Sequence, residues 1–232
     1  MSIPCSSLVR PALRAAVMVA ALAPFAASAA TLSNGSFEFT GVNGPFITSV
    51  AGGSTGFGWT STVANRDIEF VDSRGDYGLA GDQFGFIDLN GVENAGGIGQ
   101  NVLGLVSGQQ YRVDFLMSGN AGRSGNSAVD GQKQLSVLFD GAGLGTYTYT
   151  HFAGETWANR QWLAYSATFT YTGAGSLLEF RSLSTTYNDA GPLLDNVSIT
   201  ELGTTVVPLP ASSALLLGGL ALFGRLASRR RG

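Results

Sequence analysis

The sequence contains very little cysteine and histidine, and each shortage excludes a class of protein. Cys5 is the only cysteine among 232 residues, so the chain is not held together by a disulfide framework. His151 is the only histidine, which excludes a histidine cluster for zinc. A Ser-His-Asp triad would need His151, but this residue follows a Tyr-Thr-Tyr-Thr run and has the place of a strand-end residue. We therefore predict that the protein is not an enzyme.

Basic residues are also scarce once the two ends of the chain are set apart. Six of the 13 Lys and Arg residues lie in those ends, so the middle keeps 7 against 16 acids and has a formal charge of −9. Nucleic-acid binding depends on basic patches, so we expect no nucleic acid as a partner. An acidic domain is compatible with a neutral polymer as ligand and with divalent cations.

The N-terminus has the organisation of a secretory leader. Arg10 and Arg14 provide positive charge, Ala15–Phe25 is apolar, and Ala27-Ser28-Ala29 fits a small-residue cleavage site. The apolar run is too short for a membrane-spanning helix. We predict that residues 1–30 are a removed signal peptide.

The C-terminus combines a proline motif, an uncharged segment and a basic cluster. Residues 206–224 carry no charge over 19 positions, and about 20 apolar residues span a bilayer core. We assign residues 204–210 to a linker and residues 211–232 to a transmembrane segment with a basic tail. The motif residues are Val207, Pro208, Leu209, Pro210, Arg229, Arg230 and Arg231. An ordinary C-terminal anchor helix is the alternative interpretation.

These three ordered parts resemble the PEP-CTERM sorting signal of Gram-negative bacteria, with Leu209 in place of the usual glutamate. The resemblance implies processing by an exosortase-type membrane protease. It also implies transient anchoring in the inner membrane through the C-terminal helix. The final location would be the outer surface or the cell envelope, often together with exopolysaccharide.

Residues 31–203 form one predicted domain in which apolar residues recur at every second position. Representative runs are Ile68/Phe70, Phe84/Phe86, Tyr111/Val113/Phe115/Met117, Leu135/Val137/Phe139, Leu163/Tyr165/Ala167/Phe169, Leu178/Phe180 and Val197/Ile199. Each run is short and ends at turn residues such as Asp-Gly or Asn-Gly. We predict an all-β fold, an antiparallel β-sandwich of the jelly-roll type, with one core face and one wet face per strand.

The order of motifs in this domain resembles galactose-binding-like jelly-roll domains. The motifs are Leu32–Glu38, Trp59, Ile68–Asp72, Ile87–Gly91, Gly96–Gln100 and Gly191–Ile199. The order is most similar to a family of unknown function from plant cell-wall proteins, which is related to carbohydrate-binding modules of bacterial glycosidases. In such modules the first and last motifs meet at one edge and commonly hold a structural Ca²⁺. The resemblance implies Glu38 and Asp195 as calcium ligands; a surface carboxylate and a turn residue are the alternative.

Aromatic side chains in polar loops are the candidates for sugar binding, because sugar rings stack on flat aromatic faces. Further aromatic candidates are Trp59, Trp162, Tyr147 and Tyr149. Both tryptophans flank predicted strands, and we expect them to belong to the core. The candidate carbohydrate-binding residues are Tyr77, Trp157, Tyr187 and Asn188. Amide side chains such as that of Asn188 would take sugar hydroxyls.

The sequence thus favours an exported, non-catalytic surface protein that binds carbohydrate or associates with exopolysaccharide. One alternative is a structural matrix protein with no specific ligand. A second is a glycoside hydrolase, which needs two carboxylates about 5–10 Å apart. A deep cleft with two facing carboxylates, one with a raised pKa, would favour the hydrolase.

Overall fold

The protein is built from short β-strands, as the alternating pattern predicts. The computed structural model describes residues 29–38, 46–50, 55–72, 85–91, 95–121, 131–156, 159–184 and 190–202. Within these ranges there are twelve strands and no helix. The strands are β1 Phe46–Val50, β2 Thr55–Gly56, β3 Trp59–Ser61, β4 Ile68–Asp72, β5 Gly85–Asp88, β6 Gly97–Asn101, β7 Gln110–Gly119, β8 Gln132–Phe139, β9 Ala142–Thr150, β10 Leu163–Thr170, β11 Leu177–Ser182 and β12 Pro192–Leu202.

The strands form two six-stranded antiparallel sheets. The first sheet has the order β1-β4-β5-β12-β7-β10, and the second has the order β2-β3-β6-β11-β8-β9. From β5 onward the chain passes repeatedly from one sheet to the other, with the β8–β9 hairpin kept within the second sheet. This confirms the predicted all-β fold and its antiparallel β-sandwich architecture.

The core lies between the two sheets and follows the period of two. In β7, Tyr111, Val113 and Phe115 are buried, whereas Gln110 and Arg112 face solvent. Full burial of a large apolar side chain contributes about 1.5–3 kcal/mol. The predicted core position of Trp59 is also confirmed, because its side chain is fully enclosed.

The prediction of one wet face per strand is wrong for β4 and β5. Ile87, and not Phe86, faces the main core. Phe86 lies on the outer face of the first sheet, where it forms a second buried cluster with Val71 and Leu193. Trp162 packs on this cluster, with its ring centroid 5.7 Å from that of Phe86. The residues that precede β10 therefore cover part of a face that alternation alone assigns to solvent.

The β8–β9 hairpin shows a direct link between sequence and turn geometry. Its two-residue loop is Asp140-Gly141, with φ values of 48° and 78°. Positive φ at both positions defines the turn that fits the twist of a hairpin, and Asp-Gly is a preferred pair for it. The Asp140 carboxylate also accepts the Leu177 N–H at 3.1 Å, which ties this turn to the start of β11.

Two tyrosines join the sheets along one lateral edge, where β9 and β10 are the outermost strands. The hydroxyl of Tyr147 on β9 donates to the Ser166 carbonyl of β10 at 2.8 Å. The hydroxyl of Tyr165 on β10 donates to the Thr148 carbonyl of β9 at 2.5 Å. The two sheets therefore exchange hydrogen bonds at this edge through side chains.

Candidate functional site

A cavity of about 310 Å³ lies beside the N-terminal segment, at the edge of the second sheet. Three parts of the chain line it: the N-terminal segment, the β2–β3 turn with β3, and the end of β6. The lining residues are Thr31, Leu32, Ser33, Gly58, Thr60, Gln100, Asn101 and Leu103. Several of them are exposed, so a ligand can reach the cavity from solvent. Its volume is at the lower end of the range for small-molecule sites.

Backbone and side-chain hydrogen bonds hold the walls of the cavity in place. Thr31 and Leu103 form two backbone hydrogen bonds, of 2.9 and 3.1 Å. The amide of Gln100 accepts the Ser33 N–H at 2.6 Å and donates to the carbonyls of Ser33 at 3.0 Å and Gly58 at 2.7 Å. Gln100 is nearly buried. Its amide thus connects two walls of the cavity, which is a structural role.

The N-terminal segment is also fixed to the core behind the cavity. The indole N–H of Trp59 donates to the Asn34 carbonyl at 2.9 Å, and the Asn34 amide donates to the Phe57 carbonyl at 3.1 Å. The ring of Phe37 packs against Trp59 at a centroid distance of 5.3 Å. These contacts give the cavity a rigid base.

The first and last motifs of the domain meet, as the resemblance implied. The Val197 N–H donates to the Gly35 carbonyl at 2.8 Å. A bulge between Asp195 and Ser198 interrupts the pairing of β12 with β7 at this point. A Cβ on Gly35 would lie 1.9 Å from the Val197 carbonyl oxygen, so only glycine allows this approach.

The two predicted calcium ligands lie close to this meeting point in the chain. Glu38 accepts the Gly85 N–H through Oε1 at 3.0 Å. Asp195 is fully buried and accepts the N–H of Asn196 through Oδ1. In the part of the chain that the structure describes, no group of three or more His, Cys, Asp or Glu could hold a metal ion. A calcium ion here would need backbone or amide oxygens besides the two carboxylates, as calcium sites commonly have.

A buried hydrogen-bond network around Glu155 lies at the opposite end of the sandwich. The Glu155 carboxylate accepts the Tyr149 hydroxyl at 2.8 Å, His151 Nδ1–H at 3.0 Å and the Phe152 N–H at 3.1 Å. His151 directly follows β9, which agrees with the predicted strand-end position. Burial and the bond to Glu155 raise the pKa of Tyr149 to about 12. We call these residues the Glu155 network.

Asp88 is a second enclosed carboxylate at this end. It accepts hydrogen bonds from the Asn90 N–H at 2.9 Å, the Gly191 N–H at 3.2 Å and the Asn120 amide at 2.7 Å. Burial raises the pKa of Asp88 to about 7, and the nearby charge of Glu69 adds to the rise. The three hydrogen bonds act against the rise but do not cancel it.

Arg160 interacts electrostatically with both enclosed carboxylates. Its guanidinium carbon is 4.8 Å from the ring centroid of Phe86. Burial lowers the pKa of Arg160 to about 10, whereas attraction to Asp88 and Glu155 acts in the opposite direction. The guanidinium therefore connects the Glu155 network, Asp88 and the outer apolar cluster electrostatically.

The predicted sugar-binding residues Tyr77, Trp157, Tyr187 and Asn188 lie outside the described residues, and so do all residues of the sorting motif. Two other aromatic candidates are structural, since Tyr149 is buried and Tyr147 packs between the sheets. Within the described ranges, no helix is long and apolar enough to cross a membrane. Sequence reasoning missed the cavity, because its lining comes from three distant segments.

The two antiparallel sheets and the polar cavity beside them define the chain as a β-sandwich module. The chain belongs to the family described as "Protein of unknown function (DUF642)", whose model matches residues 30–200. The predicted resemblance to that plant cell-wall family is thereby confirmed. No curated protein matches the sequence.

The solved structures that are distantly similar include a cyclase and two carbohydrate-binding modules. A cyclase from Fischerella sp. TAU is 14% identical, with a TM-score of 0.48 over 75% of this chain and 96% of that chain. CBM35 from Paenibacillus barcinonensis is 16% identical, with a TM-score of 0.38 over 66% and 98%. A family 16 carbohydrate-binding module is 16% identical, with a TM-score of 0.35 over 58% and 85%. At these scores we transfer no activity from any of them.

Proposed function

We propose that the domain is a non-catalytic module that binds carbohydrate in the cavity beside the N-terminal segment. The observation that carries this proposal is the combination of an accessible 310 Å³ volume and a lining of hydroxyl, amide and apolar side chains. Hydroxyl and amide groups both donate and accept, which suits the hydroxyls of a sugar. Leu103 is 67% exposed at this cavity and offers an apolar contact for the C–H groups of a sugar ring.

The burial and the hydrogen bonds of the two enclosed carboxylates, Asp88 and Glu155, favour a binding role over hydrolysis. Asp88 has the raised pKa that a general acid needs. However, Asp88 and Glu155 are 0% and 1% exposed, and their oxygens accept hydrogen bonds from within the protein. A glycosidic bond must contact both carboxylates. Because Asp88 and Glu155 are enclosed in this way, we assign them a role in stabilising the fold.

A substitution that blocks the cavity tests the binding proposal. Thr31 is an exposed lining residue, so Thr31→Trp should fill the cavity without unfolding the domain. We expect the variant to lose binding by about tenfold or more, which corresponds to about 1.4 kcal/mol. Glycan arrays followed by calorimetry on the purified domain measure this loss. Thr150→Trp, at an exposed position beyond the cavity, is the control.

Two results would contradict the binding proposal. The first is the absence of binding to any polysaccharide, including that of the producing cell, which would favour the alternative of a structural matrix protein. The second is binding that Thr31→Trp leaves unchanged. In that case the loop aromatics Tyr77, Trp157 and Tyr187 become the next residues to substitute.

We further propose that the protein is exported and reaches the cell surface or envelope through its sorting tail, where exopolysaccharide would be its partner. The ordered tail motif from Val207 to Arg231 supports this. The test compares the localisation of the full chain with that of a chain truncated before Val207, with exopolysaccharide intact or removed. Equal localisation of both chains would contradict the role of the tail.

A structural Ca²⁺ held by Glu38 and Asp195 remains part of the proposal. The meeting of the Gly35 and Val197 segments supports it, because a cation there would tie the first segment of the domain to its last strand. We expect Ca²⁺ to raise the melting temperature of the purified domain and a chelator to lower it. An unchanged melting temperature in both conditions would contradict the calcium site.

A further inference from the structure

We infer that the cavity takes an uncharged saccharide and discriminates against sugars that carry carboxylate or sulfate groups. This inference rests on the proposed carbohydrate binding and specifies its ligand class. Two features of the described residues support it, the chemistry of the lining and the pairing of a nearby charged pair. The net charge of the predicted mature sequence is the third.

Among the described residues, eight line the cavity. They are hydroxyl, amide, glycine and leucine residues, and none of these eight has an ionisable side chain. A ligand carboxylate that entered the cavity would lose water without gaining an Arg or Lys partner. Burying a charge without a partner is strongly unfavourable. A sugar hydroxyl loses much less, because Thr31, Ser33 and Asn101 can exchange hydrogen bonds with it.

A charged pair on the same face of the second sheet as Thr60 is already neutralised. Thr60 and Glu179 are both register partners of Gly99, one on each side of it. Glu179 accepts a hydrogen bond from Arg181 Nε at 2.6 Å. Arg181 therefore has a local anionic partner, which reduces its attraction for an acidic ligand at the cavity.

The charge of the whole domain acts in the same direction. The predicted mature region has 7 basic and 16 acidic residues, and so a formal charge of −9. Such a field repels a polyanion at low ionic strength, within a Debye length of about 10 Å at 0.1 M salt. Uncharged glycans do not experience this repulsion. Short-range and long-range electrostatics therefore select the same ligand class.

The test uses matched hexasaccharides of glucose, mannose and galacturonic acid with the wild-type domain. We expect calorimetry to detect a neutral hexasaccharide, and its affinity to change by less than about twofold between low and high salt. Galacturonate hexasaccharide should bind at least about tenfold more weakly at low salt. Equal or tighter binding of galacturonate, lost in Thr31→Trp, would overturn this inference and leave the proposed function intact. If no saccharide binds in the cavity, the proposed function itself fails.

A single added charge sharpens the test. Leu103 is highly exposed at the cavity, so Leu103→Lys should fold normally. We expect it to raise the affinity for galacturonate by about fivefold at low salt, and this gain should disappear at high salt. Leu183→Lys, at a leucine that is 41% exposed elsewhere, is the matched control and should have no such effect. Equal gains in both variants would mean that the cavity is not where the acidic sugar is discriminated.

Discussion

The two ends of the sandwich use polar side chains in different ways. At one end, Asn101 pairs with Leu177 at the start of β11, and a neutral cavity is accessible to solvent. At the other end, Ser182 closes β11 and donates to Asn90 at 2.6 Å, and ionisable groups are enclosed. At the cavity the polar groups are neutral and accessible, whereas Asp88 and Glu155 at the other end are ionisable and enclosed, which is unusual for carboxylates.

The two ends differ in what a substitution should change: stability at the enclosed end, and the proposed ligand binding at the cavity end. Enclosed ionisable groups are costly unless every oxygen and nitrogen has a partner, so Glu155 and Asp88 are surrounded by donors. The cavity end has no such requirement, because its walls are joined by neutral amide and backbone groups and the exposed side chains retain access to water. Substitutions at the enclosed end should therefore change the free energy of unfolding, and those at the cavity end should change ligand affinity.

The largest expected effect is the pH dependence that Asp88 gives to stability. Its pKa is about 7 in the folded protein and 3.8 when unperturbed. As the pH rises, Asp88 therefore loses its carboxyl proton in the unfolded chain before it does so in the folded protein. The contribution of Asp88 to stability falls as pH rises from about 4 to 7. The difference between the two pKa values corresponds to roughly 4 kcal/mol. Urea unfolding of wild type and Asp88→Asn across this range measures it, and parallel stability curves would contradict it.

Removing the central carboxylate of the Glu155 network should have the next largest effect. Glu155→Ala leaves the Tyr149 hydroxyl and the His151 and Phe152 N–H groups without their acceptor. We expect the free energy of unfolding to fall by about 3 kcal/mol, with sugar affinity unchanged. Chemical denaturation and calorimetry measure the two quantities. Glu201→Ala on β12 is the control, and an equal loss there would argue against a special role of the network.

A smaller loss is expected from a methyl group at Gly119. A Cβ there would lie 2.6 Å from Cε1 of His151 and 2.8 Å from Cδ1 of Tyr149. Gly119→Ala should therefore displace the network and lower the free energy of unfolding by about 2 kcal/mol. Gly143→Ala on β9 is the matched control, since no atom lies within 4 Å of its added Cβ. Similar melting temperatures for both variants would contradict the close packing.

The smallest change in stability should come from the cavity end. Asn101 is exposed, so Asn101→Ala should alter the free energy of unfolding by less than about 0.5 kcal/mol. The same variant should weaken saccharide binding severalfold, because an amide partner is lost. Gln100→Ala, by contrast, should reduce both quantities. If Asn101→Ala reduced stability without reducing affinity, the separation between the two ends would be lost.

Much of the fold could be predicted from the sequence, because strand periodicity and turn chemistry are local. The alternation in β7, β8 and β11 and the Asp140-Gly141 turn identify strands and a hairpin directly. The second apolar cluster could not be predicted in this way. Phe86 and Val71 have the spacing of outward residues. Among the described residues, the distant Trp162 packs on their cluster and Arg160 lies over the ring of Phe86.

Less of the candidate site than of the fold could be predicted from the sequence. The cavity depends on three segments that are more than 20 residues apart. Two of them include residues of the family motifs, Leu32, Ser33 and Gln100, but nothing local in the sequence places these residues around one cavity. The sequence does not indicate that Glu155 and Arg160 are buried, because charged residues are normally exposed. The meeting of Gly35 and Val197 was predicted through a family resemblance, and spacing alone would not have brought the two ends of the domain together.

The reciprocal tyrosine bonds between β9 and β10 have a consequence for contacts between copies of the domain. Outermost strands usually offer carbonyl groups on which a second chain can add a strand. Here the Ser166 and Thr148 carbonyls already accept Tyr147 and Tyr165. A second copy that added a strand at either of these two carbonyls would therefore first have to displace a phenolic hydroxyl.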